Sequence, residues 1–137
     1  AEREGREAFV RLPAVMRRVR YVGVGVTEGG VCAGSPAIEV LAELLHACCA
    51  ANHPSVCVVC TDNVSSVGDR LRSLVLSSSY ASLLAPQASG AFAAYLQGSV
   101  AFPNTMVDRI TAHRKGDPTV PRTEELPKKA LVLEDLG

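Results

Sequence analysis

The sequence has no tryptophan, and aromatic residues make up only 4% of it, so Ala, Val, Leu and other small side chains must pack its interior. It has no net charge either: 14 Lys and Arg balance 14 Asp and Glu. No global basic field therefore draws the chain to nucleic acid or to a membrane surface. The small cluster Arg17, Arg18 and Arg20 reads as a solvated helix end. No apolar run approaches the ~18 to 20 residues of a membrane span. Residues 1–7 lack an apolar h-region, so no secretory signal is expected there. With no initiator Met, the chain is expected to be a processed end or a piece of a longer protein. Its five cysteines are an odd number. Without a secretory signal, that argues for reduced thiols in a reducing, cytoplasmic setting.

What is present is enough for a core. Of 137 residues, 47% are hydrophobic and 20% charged, the balance of one globular domain or part of one. Residues 7–20 carry a broken helical pattern interrupted at Pro13. Tyr21-Val22-Gly23-Val24-Gly25-Val26-Thr27 is uncharged and β-rich, the signature of a strand buried on both faces in a parallel sheet. Its Gly23-x-Gly25 is not a dinucleotide loop, because Glu28 stands where the third glycine belongs. Close packing of a helix or ligand against the strand is the better explanation. Ser35-Pro36 offers a helix start with an N-cap hydroxyl and Pro at the first position. Ile38, Leu41, Leu44/Leu45 and Cys48 then recur at helical spacing, with Glu39, Glu43 and His46 off the stripe and His46 read as exposed. Asn52-His53-Pro54 ends that helix.

Val56-Cys57-Val58-Val59-Cys60 reads as a buried strand. Its C-x-x-C spacing puts the two thiols on opposite faces, which excludes a shared metal or a disulfide between them. Ser65-Ser66 offers a cap to a second helix, with Val67, Leu71, Leu74 and Val75 inward, ending near Ser77-Ser78-Ser79. A third helix runs from about Pro86 and stops at Gly98. A short apolar run, Val100-Ala101-Phe102, then leads through Pro103 to Asn104 and Thr105, where a strand is expected to hand over to a helix. From His113 a polar, Pro-punctuated segment reads as a surface loop of about fifteen residues. Ala130-Leu131-Val132-Leu133 is one more short strand.

Strands alternating with helices over short connections predict an α/β fold with a mostly parallel sheet and flanking helices. Polar groups collect where the strands end: Thr27 and Glu28, Asp62 and Asn63, Asn104, Asp135. The carboxyl ends of such strands are the expected ligand edge. Glu28 there can accept from ribose hydroxyls or face water. Asp62 and Asn63 can cap their loop or touch a cofactor. Asn104 brings an amide with one acceptor and two donors.

Phe102-Pro103-Asn104-Thr105-Met106-Val107-Asp108-Arg109-Ile110-Thr111 closely resembles the signature of the mannitol dehydrogenase family, the long-chain polyol and hexuronate dehydrogenases. Val26-Thr27-Glu28-Gly29-Gly30 resembles the family's V-T-E-x-G, Thr61-Asp62-Asn63-Val64 with Gly68 its C-D-N-[IV]…N-G, and Leu131-Val132-Leu133-Glu134-Asp135 its W-V-[IL]-E-D. The chain departs from those patterns at Thr61, Ala112 and Ala130, which stand for Cys, Pro and Trp, and its segment around Gly34 is shorter. Neither the family's G-x-G-x-F phosphate loop nor its K-x4-N-x2-H helix, which carries the proton-transferring lysine, occurs in these residues; Lys128 and Lys129 do not match it.

The resemblance implies the second half of a Rossmann-like NAD(P)-binding domain over residues 1–112, a loop at 113–129, and a strand at 130–137 leading toward a substrate domain. It implies NAD or NADP as cofactor and a small polyol or sugar acid as substrate, with no nucleic-acid or membrane partner. Asn104 maps onto the asparagine that helps hold the reacting oxygen beside the nicotinamide, and Asp135 onto an acid at the mouth of the site. Thr27, Glu28, Asp62 and Asn63 map onto strand exits beside the cofactor, and Asp108 with Arg109 onto a structural pair. The alternative is a truncated, non-catalytic relative that serves as a binding or assembly module.

Overall fold

The computed structural model describes residues 19–108, 112–114, 116–122 and 130–134. The helix expected over residues 7–20 falls mostly outside them, as do Asp135, Arg109 and the lysines at 128 and 129.

Three short strands form a parallel sheet in chain order: β1 (Tyr21–Val24), β2 (Val56–Cys60) and β3 (Val100–Ala101). The register pairs Tyr21 with Cys57, Val24 with Cys60, and Val56 with Val100. Between β1 and β2 runs α1 (Pro36–Ala50). Between β2 and β3 come α2 (Val67–Leu76), a single turn α3 (Ser79–Ser82) and α4 (Pro86–Gly98). This is the Rossmann-like arrangement expected from the alternating pattern.

The period of two along β2 decides which face is covered. Val56, Val58 and Cys60 are at most 1% exposed, while the intervening Cys57 and Val59 are only half-buried. The two thiols thus lie on opposite faces, as the strand reading requires. Ile38, Leu41, Ala42, Leu45 and Cys48 form the buried stripe of α1, which packs on α2, α3 and α4. Leu71 and Val75 from α2, with Phe92 and Leu96 from α4, complete one core. Each fully buried Leu, Ile or Phe contributes about 1.5–3 kcal/mol of transfer free energy. The other face of the sheet is poorly covered among the described residues. Tyr21 is 69% exposed and no atom lies near the missing Cβ of Gly23. The expectations of a first strand buried on both faces, and of close packing against Gly23, are therefore corrected. Among the described residues β1 pairs with β2 alone, and nothing rests on its outer side.

The helix boundaries have identifiable causes. Pro36 starts α1, but the Ser35 hydroxyl makes no cap bond, contrary to expectation. At its end Asn52 takes φ 50°, His53 N–H donates to the Cys48 carbonyl at 2.9 Å and Asn52 N–H to that of Cys49 at 3.0 Å. These two bonds close a Schellman motif with Asn in the left-handed position. Ser77 ends α2 and Ser78 caps α3, accepting from Ala81 N–H at 3.1 Å. Glu39 is off the apolar stripe yet not idle. Its carboxylate accepts from Ser79 N–H at 3.0 Å and Tyr80 N–H at 2.8 Å, tying α1 to the start of α3. Glu39→Ala is expected to cost about 1–2 kcal/mol, as for loss of a helix cap. Urea unfolding should show a lower midpoint with an unchanged slope, and Glu39→Gln a smaller loss.

His46 is half-buried rather than exposed. Its Nδ1 lies 2.8 Å from the Tyr80 hydroxyl and its ring meets Phe92 edge-on at 5.4 Å. Burial, with the nearby Glu43 carboxylate, raises the Tyr80 pKa. Burial, followed by the charges of Cys48 and Cys49, pushes that of Tyr95 up to about 12.

Two further corrections concern the C-terminal third. Thr105 opens no helix: β4 (Thr105–Asp108) pairs antiparallel with β7 (Ala130–Leu133) in a separate two-stranded ribbon. The segment expected to be a loop holds a hairpin, β5 (Ala112–Arg114) with β6 (Asp117–Arg122). β7 is thus a strand, as expected, but not one of the parallel sheet.

The thiols follow burial. Burial raises the pKa of Cys48, which also feels the Cys49 charge, and of Cys49 and Cys57. Cys32 is exposed and Cys60 buried. A water-soluble maleimide is expected to label Cys32 first, read by mass spectrometry after brief exposure. Faster labelling of Cys60 would contradict the placement of β2.

Candidate functional site

At the carboxyl ends of β2 and β3 a cleft of about 420 Å³ opens between the β2–α2 loop and the β4–β7 ribbon. Its polar lining comes from Asn63, Ser65, Ser66, Asn104, Thr105 and Glu134, and its apolar wall from Met106, Val132 and Leu133. Among the described residues no Lys, Arg or His lines it.

Asn104 is the most constrained of these side chains. Its Oδ1 accepts from Gly68 N–H at 2.9 Å and, at 3.4 Å, from Asp69 N–H. Those are two of the N–H groups that a helix leaves unpaired at its start. Ser66, the residue placed to cap α2 locally, sits at φ 49° and makes no side-chain cap bond. The expected Ser65-Ser66 cap is therefore corrected: an amide 36 residues away takes the role, and both hydroxyls line the cleft instead. Asn104 Nδ2 donates to Asp69 Oδ2 at 3.0 Å. Its backbone is held as well. Asn104 N–H donates to Glu134 Oε2 at 3.1 Å, and Glu134 N–H to the Asn104 carbonyl at 2.9 Å. Next along the chain, the buried Thr105 hydroxyl donates to the Cys60 carbonyl at 2.8 Å, pinning the ribbon to the end of β2.

Gly68 makes this approach possible. A Cβ there would collide with the Phe102 carbonyl oxygen and lie 2.7 Å from the Pro103 carbonyl carbon and oxygen. The start of α2 touches the backbone of the strand exit, so no side chain fits.

Of the residues singled out in the sequence, Asn63 and Asn104 meet in this cleft. Asp62 turns to its own loop, accepting from Asn63 N–H at 2.9 Å, which is the capping role. Thr27 and Glu28 are exposed beside β1, where Glu28–Gly30 forms one 3-10 turn, and they do not line the cleft. Asp135 and the Asp108–Arg109 pair lie outside the described residues or side chains. Sequence reasoning missed Glu134 and Asp69. In the sequence Glu134 stands out only as the neighbour of Asp135, and Asp69 only as a polar position of the second helix. The signal for Asp69 was its place beside a glycine already matched to a motif. A second cavity of about 500 Å³ lies at the opposite, amino-terminal end of the strands, lined in part by Arg20, Arg72 and Gln97. Among the described residues no cluster of three or more His, Cys, Asp or Glu side chains is placed to hold a metal. No described helix is long and apolar enough to cross a membrane.

Parallel strands in chain order, crossover helices and a polar cleft at the strand ends define a Rossmann-like α/β unit. Residues 5–130 match the family model described as the mannitol dehydrogenase Rossmann domain, and the chain belongs to that family. Among solved structures it is similar to D-sorbitol dehydrogenase in substrate-free form, with a TM-score of 0.60 and 24% identity over 77% of this chain. The chain covers 25% of that structure's length. No curated protein sequence matches it.

Proposed function

We propose that this chain forms the nicotinamide-side half of the cofactor domain of an NAD(P)-dependent dehydrogenase acting on a polyol or sugar acid. The observation that carries the proposal is the held amide of Asn104 in a cleft at the strand ends of a mannitol dehydrogenase family member. The cleft's donor set fits one end of the cofactor. Amides, hydroxyls, the Glu134 carboxylate and an apolar wall suit a carboxamide-bearing ring and its ribose, while a diphosphate would call for cations or a glycine loop, which the described lining does not include.

When bound, the nicotinamide accepts or returns a hydride at the carbon bearing the substrate's hydroxyl. The chain's own residues orient and stabilise. Asn104 Nδ2 has a second hydrogen with no acceptor among the described residues, free to donate to the substrate oxygen as negative charge develops on it. Asn63 and the Ser65 and Ser66 hydroxyls supply further hydrogen bonds along the cleft. Val132 and Leu133, exposed on the cleft wall, offer apolar surface for a bound ring to cover. The family resemblance assigns Thr27 and Glu28 to ribose contact at the neighbouring strand exit, and Asp135 to the mouth of the site. Proton removal falls to a lysine that the family resemblance assigns to a helix outside these residues.

The test is turnover by the natural protein that carries this chain, assayed with NAD and NADP against D-mannitol, D-sorbitol and hexuronates. Reduction of either cofactor by at least one alcohol is expected. No turnover, together with no quenching or enhancement of NADH fluorescence on mixing, would leave the non-catalytic module as the better description.

A further inference from the structure

We propose that Asp69 is a positioning residue for Asn104: it fixes the direction in which the Asn104 NH2 points into the cleft. This inference rests on the role given to Asn104 above. A primary amide has two chemically opposite edges, and a half-turn about its last bond exchanges them. Here that half-turn is blocked on both sides. With the amide reversed, its NH2 would face the N–H groups of Gly68 and Asp69, donor against donor. Its oxygen would face the Asp69 carboxylate, acceptor against acceptor. In the observed orientation the start of α2 takes the oxygen and Asp69 takes one of the two Nδ2 hydrogens. Only the second hydrogen remains for a ligand in the cleft.

The two clamps are not equivalent. The N–H groups of α2 are backbone and come with the fold. Asp69 is a side chain, exposed at the helix surface, and has no other hydrogen-bond partner for its carboxylate among the described residues. Removing it leaves the amide oxygen held while the NH2 can swing. The remaining N–H then no longer has a fixed direction, and a donor a fraction of an ångström out of place loses much of its effect on a developing charge.

Asp69 also lies in the first turn of α2, where a negative charge favours the helix. Substitutions separate the two roles. Asp69→Ala removes acceptor and charge, whereas Asp69→Asn removes the charge but keeps an oxygen that can accept from Asn104. In the natural protein, Asp69→Ala is expected to lower kcat roughly tenfold, within the range for a misdirected catalytic group, with KM for the cofactor changed less than about threefold. Asp69→Asn should recover most of that loss. A purely electrostatic helix role would make the two variants alike in melting temperature and leave kcat alone.

A readout independent of turnover is the side-chain amide of Asn104, followed by nitrogen-edited NMR and assigned with Asn104→Ala. Its two hydrogens should be well separated in the wild type and in Asp69→Asn, and should draw together in Asp69→Ala. If Asn104→Ala lowers kcat while Asp69→Ala leaves both kcat and the amide signals unchanged, Asp69 does not position Asn104. If Asn104→Ala itself has no effect on kcat, the catalytic reading of Asn104 fails and takes this proposal with it.

Discussion

Replacing Asn104 by alanine is expected to lower turnover roughly ten- to a thousand-fold, the range for loss of one donor to a developing oxyanion. Cofactor affinity should fall much less, because the amide acts on the substrate oxygen. The substitution has a second effect that the sequence did not foretell. Asn104 is also the cap of α2, so its loss should cost about 1–2 kcal/mol of stability. The two effects are separable. Turnover should be measured well below the melting temperature and at saturating substrate, with circular dichroism showing that the variant is folded. Asn104→Asp adds a control. It keeps an acceptor for the Gly68 and Asp69 N–H groups but offers no donor and faces the Asp69 carboxylate. It should remain as inactive as alanine. An unchanged rate in either variant would remove Asn104 from the chemistry.

Gly68→Ala should produce the largest loss of stability of any single methyl added to this chain's described glycines. The new Cβ would meet the backbone of Phe102 and Pro103, which cannot rotate away as a side-chain tip can. By contrast, Gly23, Gly90 and Gly98 have nothing within reach of a Cβ. Overpacking of a rigid site costs about 1–3 kcal/mol and sometimes more. At a backbone contact the upper end applies, and a fall in melting temperature of roughly 10 °C follows for a domain of this size. Because α2 must shift to relieve the clash, the Asn104 bonds to Gly68 and Asp69 should stretch, and turnover should fall with stability. Gly98→Ala serves as the control and should change the melting temperature little. Equal melting temperatures for Gly68→Ala and the wild type would show that α2 does not approach the strand exit as closely as described.

Much of this architecture was legible in the sequence because its signals are local. The five-residue run of β2, Pro36 and Pro86 at helix starts, and the apolar spacing of α1 each state a period or a cap within a few residues. What was not legible depends on partners far apart in the chain. Thr105–Asp108 looked like a helix entry because a short polar-flanked segment carries no period of its own. Its strand identity comes from pairing with Ala130–Leu133. The hairpin over Ala112–Arg114 and Asp117–Arg122 was hidden by prolines, which favour loops on average but sit at strand positions here. The site shows the same division. The resemblance located Asn104 and Asn63 in one cleft. It did not reveal that Asn104 also caps α2, that Glu134 holds its backbone, or that Asp69 holds its amide. Those contacts span 30 to 36 residues. The Ser65-Ser66 pair misled for the opposite reason. It is a good local cap signal, overridden by a tertiary one.

The central claim is that the nicotinamide end of a dinucleotide binds at the Asn63–Asn104–Glu134 cleft. The measurement that addresses it most directly is backbone hydrogen exchange of the natural protein with and without saturating NADH. Slower exchange is expected in the segments around Asn63 to Gly68, Thr105 to Met106, and Val132 to Glu134, with little change at the opposite ends of the strands. Protection confined to Arg20–Tyr21 and Gln97–Ala101, around the other cavity, or protection in neither region, would contradict it.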